Sequence, residues 1–270
     1  LLDGLGIATI GRHGRLLHAY LAGSLFGTVL PSTASTDAMR ALLAQRAYGG
    51  RPTSHAAAVV IQNLLVWVAA CTIGLVCLVI LFSQGEAPIY APEAALLFVG
   101  VVGAAVGLHV ALKHYRALWV ALLRRVLRKR WYFLRRAARR FADSLLVFER
   151  AHVSFTPRAL NGCVAFIFTA SVHATVAMAV GIDVPLYVWG AILPIASLSG
   201  FLPISISGLG GAQAVYVLLL APFGVDVAHA FTASALYAVL NLMFNTVFCS
   251  IAWLSMPALV KPAPDAASSA

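Results

Sequence analysis

From residue 56 to residue 82 the chain contains no Asp, Glu, Lys or Arg. A helix needs about 20 predominantly apolar residues to cross the hydrocarbon core of a bilayer. A charge-free run of this length therefore points to a membrane span rather than a buried soluble helix. Uncharged runs recur at 94–112, 159–180 and 227–256. Composition agrees: 10% of residues are charged, against about a quarter in soluble domains, and the mean hydropathy is +0.90. No ten-residue alternation suggests a β-barrel. The sequence predicts an all-α integral membrane protein, a polytopic helical bundle.

The net charge of +10 is concentrated in one place. Residues 113–150 hold twelve Lys and Arg against Asp143 and Glu149, a surplus equal to the whole net charge. The remainder is neutral on balance, which argues against a nucleic-acid-coating protein. Arginine pairs in this block alternate with Trp119, Trp131, Tyr132, Phe133 and Phe141. Such a pattern suits an amphipathic helix lying on an anionic leaflet. The positive-inside rule then makes 113–150 and the C-terminus cytoplasmic. The loop with Glu86 and Glu93 falls outside, as do Asp183 and Asp226.

Two stretches interrupt the apolar pattern. Leu202-Pro203 leads through Ile204-Ser205-Ile206-Ser207 to Gly208-Leu209-Gly210-Gly211. Proline lacks the N–H that a helix needs, and the glycines favour opened backbone. Opened backbone at membrane depth survives only where protein buries it or where it lines a wet cavity. Broken helices of this kind form substrate sites in transporters. The earlier interruption, Leu30-Pro31, is followed by Ser32-Thr33-Ala34-Ser35-Thr36-Asp37. Asp37 or a neighbouring hydroxyl is the expected N-cap of a helix through Ala38.

The chain therefore reads as one transmembrane domain over 1–270. It contains a re-entrant hairpin at 15–50 entering from the cytoplasm (a full crossing of the bilayer is the alternative), spans at 56–82, 94–112, 159–180 and 227–256, and a second re-entrant hairpin at 185–224 entering from outside. Leu30-Pro31 parallels Leu202-Pro203, and Ser54-His55-Ala56 parallels Ala228-His229-Ala230, with offsets that differ by two residues. An inverted repeat and a coincidence of biased composition both remain open. Because the chain starts at Leu1, an N-terminally truncated chain is expected.

Candidate binding residues cluster at the breaks. Asp37 and Arg40 share a helical face next to Pro31. A charge at membrane depth costs about 2.5–3.5 kcal/mol on insertion scales, so it faces a cavity or a partner. Arg40 can hold a lipid phosphate while Asp37 orients it or receives an amine; an interfacial ion pair is the alternative. Around Pro203, Gly208, Gly210 and Gly211, N–H groups at a helix start can bind phosphate, or the small residues simply allow close packing. Gln213 can bond a head group or a neighbouring helix. Gln62, Asn63, His173, Asn241 and Asn245 form a candidate polar seam, with interhelical hydrogen bonding as the plainer reading. His173 is either a proton carrier or a packing histidine.

Cys71, Cys77, Cys163 and Cys249 lie in apolar runs without a C-x-x-C pair, and the histidines have no ligand spacing. No metal, cofactor or catalytic constellation is legible, so enzymatic activity is not expected.

At the two breaks the sequence resembles the flippase-like transmembrane domain of lysylphosphatidylglycerol synthases and their stand-alone relatives. Those proteins show L-P-x-x-x-G-G-D-x-x-R and, later, L-P-x-x-x-G-G-L-G-x-R-E. Here Asp37 and Arg40 match the first motif, with Ser35-Thr36 in place of Gly-Gly. In the second, Ala212-Gln213 replace Arg-Glu. The resemblance extends over about 16–254 and implies a helical membrane domain that moves a modified lipid between leaflets. The family's synthase branch also needs a soluble aminoacyl-transferase domain, which these residues do not include. The expected function is a lipid translocase of the bacterial inner membrane acting on an anionic phospholipid-derived or polyprenyl-linked (isoprenoid) lipid. The alternative is a membrane scaffold that recruits a soluble transferase partner.

Overall fold

A computed structural model describes residues 13–29, 33–49, 52–114, 155–198 and 211–255. They form α1 (His13–Val29), α2 (Thr33–Tyr48), α3 (Pro52–Gln84), α4 (Ala91–His114), α5 (Phe155–Ala179), α6 (Leu186–Leu198), α7 (Gly211–Leu220), a 3₁₀ turn (Ala221–Phe223) and α8 (Val227–Ser255). No strand occurs among the described residues. Among the described residues, three stretches are long and apolar enough to cross a membrane: Ser54–Gln84, Ala159–Ala179 and Val227–Leu254. The protein is an all-α polytopic membrane protein. In α4 the apolar stretch described is Ala91–Gly107.

Local chemistry explains the ends. Pro52 opens α3, where its missing N–H costs nothing. Gly49, Gly85, Gly181 and Gly224 each take a left-handed φ of 73–89° where a helix or 3₁₀ turn stops. At the end of α3 the Glu86 N–H donates to Leu81 O (3.0 Å) and the Gly85 N–H to Phe82 O (3.2 Å), a Schellman closure.

One sequence expectation is corrected. Helix α2 begins at Thr33, so Asp37 lies a full turn inside it and is not its N-cap. The run Thr33-Ala34-Ser35-Thr36 is polar but not helix-breaking, and Pro31 just ahead leaves the start of a helix free to form. Pro31, Pro203, Gly208 and Gly210, and the basic residues from 115 to 150, lie outside the described residues.

The chain divides into two compact units, split within α3 and α8. The first contains the described residues of Leu1–Ile61 and Leu242–Ala270. Its core is the α1–α2 pair, closed by Ala19, Ala22 and Leu43 with Met39 and Ala47 against them. Helices α1 and α2 have 17 and 16 residues.

The second unit contains the described residues of Gln62–Arg116 and Ser154–Asn241. Within it α3 receives its neighbours through small residues. Phe98 of α4 fills the notch at Gly74, where an added Cβ would meet the ring at 2.6 Å. Gly190 of α6 lies directly against Cys77 of α3. Close approach through small residues is how membrane helices gain packing without a hydrophobic drive between them. Helices α6 and α7 have 13 and 10 residues, so they extend about 20 and 15 Å, short of the roughly 30 Å hydrocarbon core. Pro194 sits inside α6, buried, and removes the N–H that Gly190 O would accept.

Candidate functional site

The first unit holds an arginine in a preformed seat. Helices α1 and α2 cross at Gly23: an added Cβ there would lie 2.7 Å from Arg40 Cγ, 2.8 Å from its Cα and 2.9 Å from its N. That approach places Arg40 over the next residue of α1. Arg40 Nε and Nη2 both donate to Ser24 Oγ, at 3.1 and 2.8 Å. Ser24 in turn donates to Tyr20 O (2.9 Å). The Tyr20 ring lies under the guanidinium, its centroid 4.2 Å from Cζ, a cation–π contact. One turn back, Arg40 Nη1 donates to Asp37 Oδ1 (3.1 Å).

Guanidinium carries five N–H donors. Three serve Ser24 and Asp37, and one remains on each terminal nitrogen. Arg40 and Asp37 side chains are 21% and 25% exposed, so the pair is partly shielded rather than sealed. This arrangement holds a cation in one orientation between α1 and α2, with two N–H groups to offer an anion.

The second unit gathers a different set of groups. His173 of α5 stacks on Tyr237 of α8 with ring centroids 3.6 Å apart. Tyr216 of α7 lies at 5.9 Å and Trp189 of α6 at 6.3 Å. Its Nδ1 lies 2.8 Å from Thr169 O. A carbonyl only accepts, so Nδ1 carries the proton and Nε2 of the neutral ring is bare. One side chain thus touches both half-helices and both flanking helices.

At one end of this unit a cleft of about 320 Å³ is lined by residues 181–184 and 223–226 together with His229. Asp226 opens α8: its Oδ2 accepts from the Ala228 N–H at 2.9 Å and lies 3.5 Å from His229 Nδ1. The backbone N–H holds the Asp226 carboxyl below its ordinary range, with His229 adding to the effect. Among the described residues no group of three His, Cys, Asp or Glu is placed to hold a metal ion.

Residues 11–249 match the family described as the lysylphosphatidylglycerol synthase TM region. The chain belongs to that family. No curated protein and no solved structure matches it. Family membership makes it a membrane protein linked to lipid metabolism or transport.

In this member of the lysylphosphatidylglycerol synthase TM region family, Asp37 and Arg40 meet as their spacing implies. Gly211 starts α7, and Gln213 is buried in its first turn. Gln62 and Asn63 are half-buried on α3, and Asn241 and Asn245 lie one turn apart on α8, the first exposed and the second half-buried. The hydrogen bond and ring contacts of His173 involve none of these four. Its neighbours are rings. Tyr20, Gly23 and Ser24 were not singled out by sequence, although their i, i+3, i+4 spacing interrupts an apolar run on one helical face. Trp189, Tyr216 and Tyr237 offered no such local signal.

Proposed function

We propose that this protein is a lipid translocase. It moves a phospholipid-derived or isoprenoid-linked lipid between leaflets, with Arg40 binding the phosphate of the head group. The observation that carries this reading is the seat of Arg40: a guanidinium fixed by Ser24, Tyr20 and Asp37 between α1 and α2, with one N–H unspent on each terminal nitrogen. Arginine presents paired donors that match phosphate oxygens. Pre-positioning spares the ordering cost of a long flexible side chain on binding.

In this reading both hairpins are re-entrant, and the first binds the polar head group while the acyl chains stay in lipid. The basic segment 113–150 faces the cytoplasm of a bacterial inner membrane and gathers anionic lipids there, at about 1 kcal/mol per well-placed cation. Transport runs downhill or is coupled to an ion gradient, and the chain performs no covalent chemistry.

The test is transbilayer transfer of labelled lipid in proteoliposomes. Arg40→Ala should slow transfer at least tenfold. Arg135→Ala/Arg136→Ala, which removes one pair from the basic segment, should slow it less than twofold. Equal rates for Arg40→Ala and the parent chain would remove the basis of the assignment. Capture of a soluble transferase that is lost on charge reversal at Arg135, Arg136, Arg139 and Arg140, together with no transfer by the parent chain, would favour a scaffold instead.

A further inference from the structure

The loop between α3 and α4, residues 85–90, touches both arms of the α6–α7 hairpin. Its far end reaches the last turn of α7: the Tyr90 hydroxyl donates to Leu219 O at 2.6 Å. The carbonyl is in need of a donor. The chain tightens there into the 3₁₀ turn Ala221–Phe223, in which Leu219 O would look to the N–H of residue 222. That residue is proline and has none. Burial pushes the Tyr90 phenol up from its ordinary value, so it remains a donor at every ordinary pH.

The near end of the loop reaches the first turn of α6. The Tyr187 hydroxyl donates to Glu86 Oε2 at 3.3 Å, in an exposed position. Between these two attachments the loop is stiff. The Schellman closure at Gly85 and Glu86 fixes one side, and Ala91 N–H donating to Pro88 O (2.9 Å) fixes the other. The attachment points also sit just beyond the two turns that wall the cleft, 181–184 and 223–226.

We propose that the 85–90 loop is a strap that joins the two arms of the broken hairpin and sets the spacing of the cleft walls, so that this end of the hairpin opens only when the strap lets go. The two attachments are unequal. Tyr90 to Leu219 is short and shielded, whereas Glu86 to Tyr187 is long and open to solvent, so release starts at α6. The proposal stands apart from the choice of transported lipid.

Hydrogen exchange of the whole chain in nanodiscs tests it. Tyr90→Phe should raise exchange at 223–224 about fivefold, the factor carried by one net hydrogen bond. Tyr187→Phe should raise exchange at 187–190 less than twofold, and its exposed site leaves folding intact. In the double variant both arms should exchange faster than the product of the single effects, because each attachment limits the excursion that strains the other. No change at 223–224 in Tyr90→Phe, an equal rise throughout α3, α5 and α8, or simple multiplication of the single effects would overturn the strap.

Discussion

The two helical pairs reach similar interrupted shapes by opposite means. The α1–α2 pair carries its own fastening: a glycine crossing, a serine acceptor, an aromatic face and an ion pair, all within residues 20–40. The α6–α7 pair has no Asp, Glu, Lys or Arg in either helix. Apart from the Trp189–Tyr216 ring contact (centroids 6.2 Å apart), it is held from outside itself, by rings on α5 and α8 and by the loop after α3. A pair fastened internally moves as one piece. A pair fastened by its neighbours moves only as far as they yield; under the proposed function, binding falls to the first and conformational change to the second.

The sharpest way to break the comparison is to separate α1 from α2. Gly23→Val would drive new atoms into Arg40 Cα and N, which are backbone and cannot swing aside. Overpacking of this kind costs about 3 kcal/mol, and with two backbone contacts the first unit should fail to assemble. Gly190→Ala is the counterpart in the second hairpin, but there the obstruction is the Cys77 side chain. It should cost about 1–2 kcal/mol and recover when Cys77→Ala is added. Thermal unfolding in detergent measures both. A Gly23→Val protein as stable as Gly190→Ala would mean that the crossing is not what holds the first pair.

The next effect concerns charge. Arg40→Ala removes the cation bonded to the Asp37 carboxylate, which costs about 2 kcal/mol after allowance for the quarter exposure of the pair. Asp37→Asn keeps a partner for Arg40 and should cost about half that. Arg40→Leu/Asp37→Leu should regain most of the loss, since paired removal takes away both charges of the ion pair. If the double variant is instead the least stable of the three, the pair stabilises the hairpin outright and the case for a poised site weakens.

These expectations also mark how far the sequence could be read. Three of the four uncharged runs fall in helices long and apolar enough to cross a membrane, because hydropathy is a local property of the chain. The Asp37–Arg40 pairing was legible for the same reason, since i, i+3 neighbours meet on any helix. The other half of the seat was not. Ser24 lies sixteen residues from Arg40, and only the antiparallel approach of α1 and α2 brings them together. His173 was visible as an anomaly in an apolar run, but its companions come from α6, α7 and α8, and no local pattern links them. The α2 boundary moved by a turn because hydroxyl residues serve as caps in one setting and as ordinary helix positions in another.

The smallest effect separates the helices that leave the two hairpins. Helix α3 opens on Pro52, with no acid in its first turn, and His55 Nε2 donates to the Gly49 carbonyl at 2.8 Å. Helix α8 opens on Asp226, whose carboxylate accepts from Ala228 N–H. The weakly similar triplets Ser54-His55-Ala56 and Ala228-His229-Ala230 therefore sit in unlike surroundings, His55 buried and His229 exposed. The sign of the pH response follows from the carboxylate. Its folded-state pKa lies below the ordinary 3.8, so its contribution is complete above that value and is lost as pH falls through the lowered one. Protection of amides 228–230, corrected for intrinsic exchange, should hold from pH 7 to pH 5 and fall towards pH 3. Asp226→Asn, which keeps an accepting oxygen at the cap, should flatten that dependence. A pH-independent parent chain would mean that α8 is held by its apolar packing alone, and the contrast between the two exits would rest on the histidines.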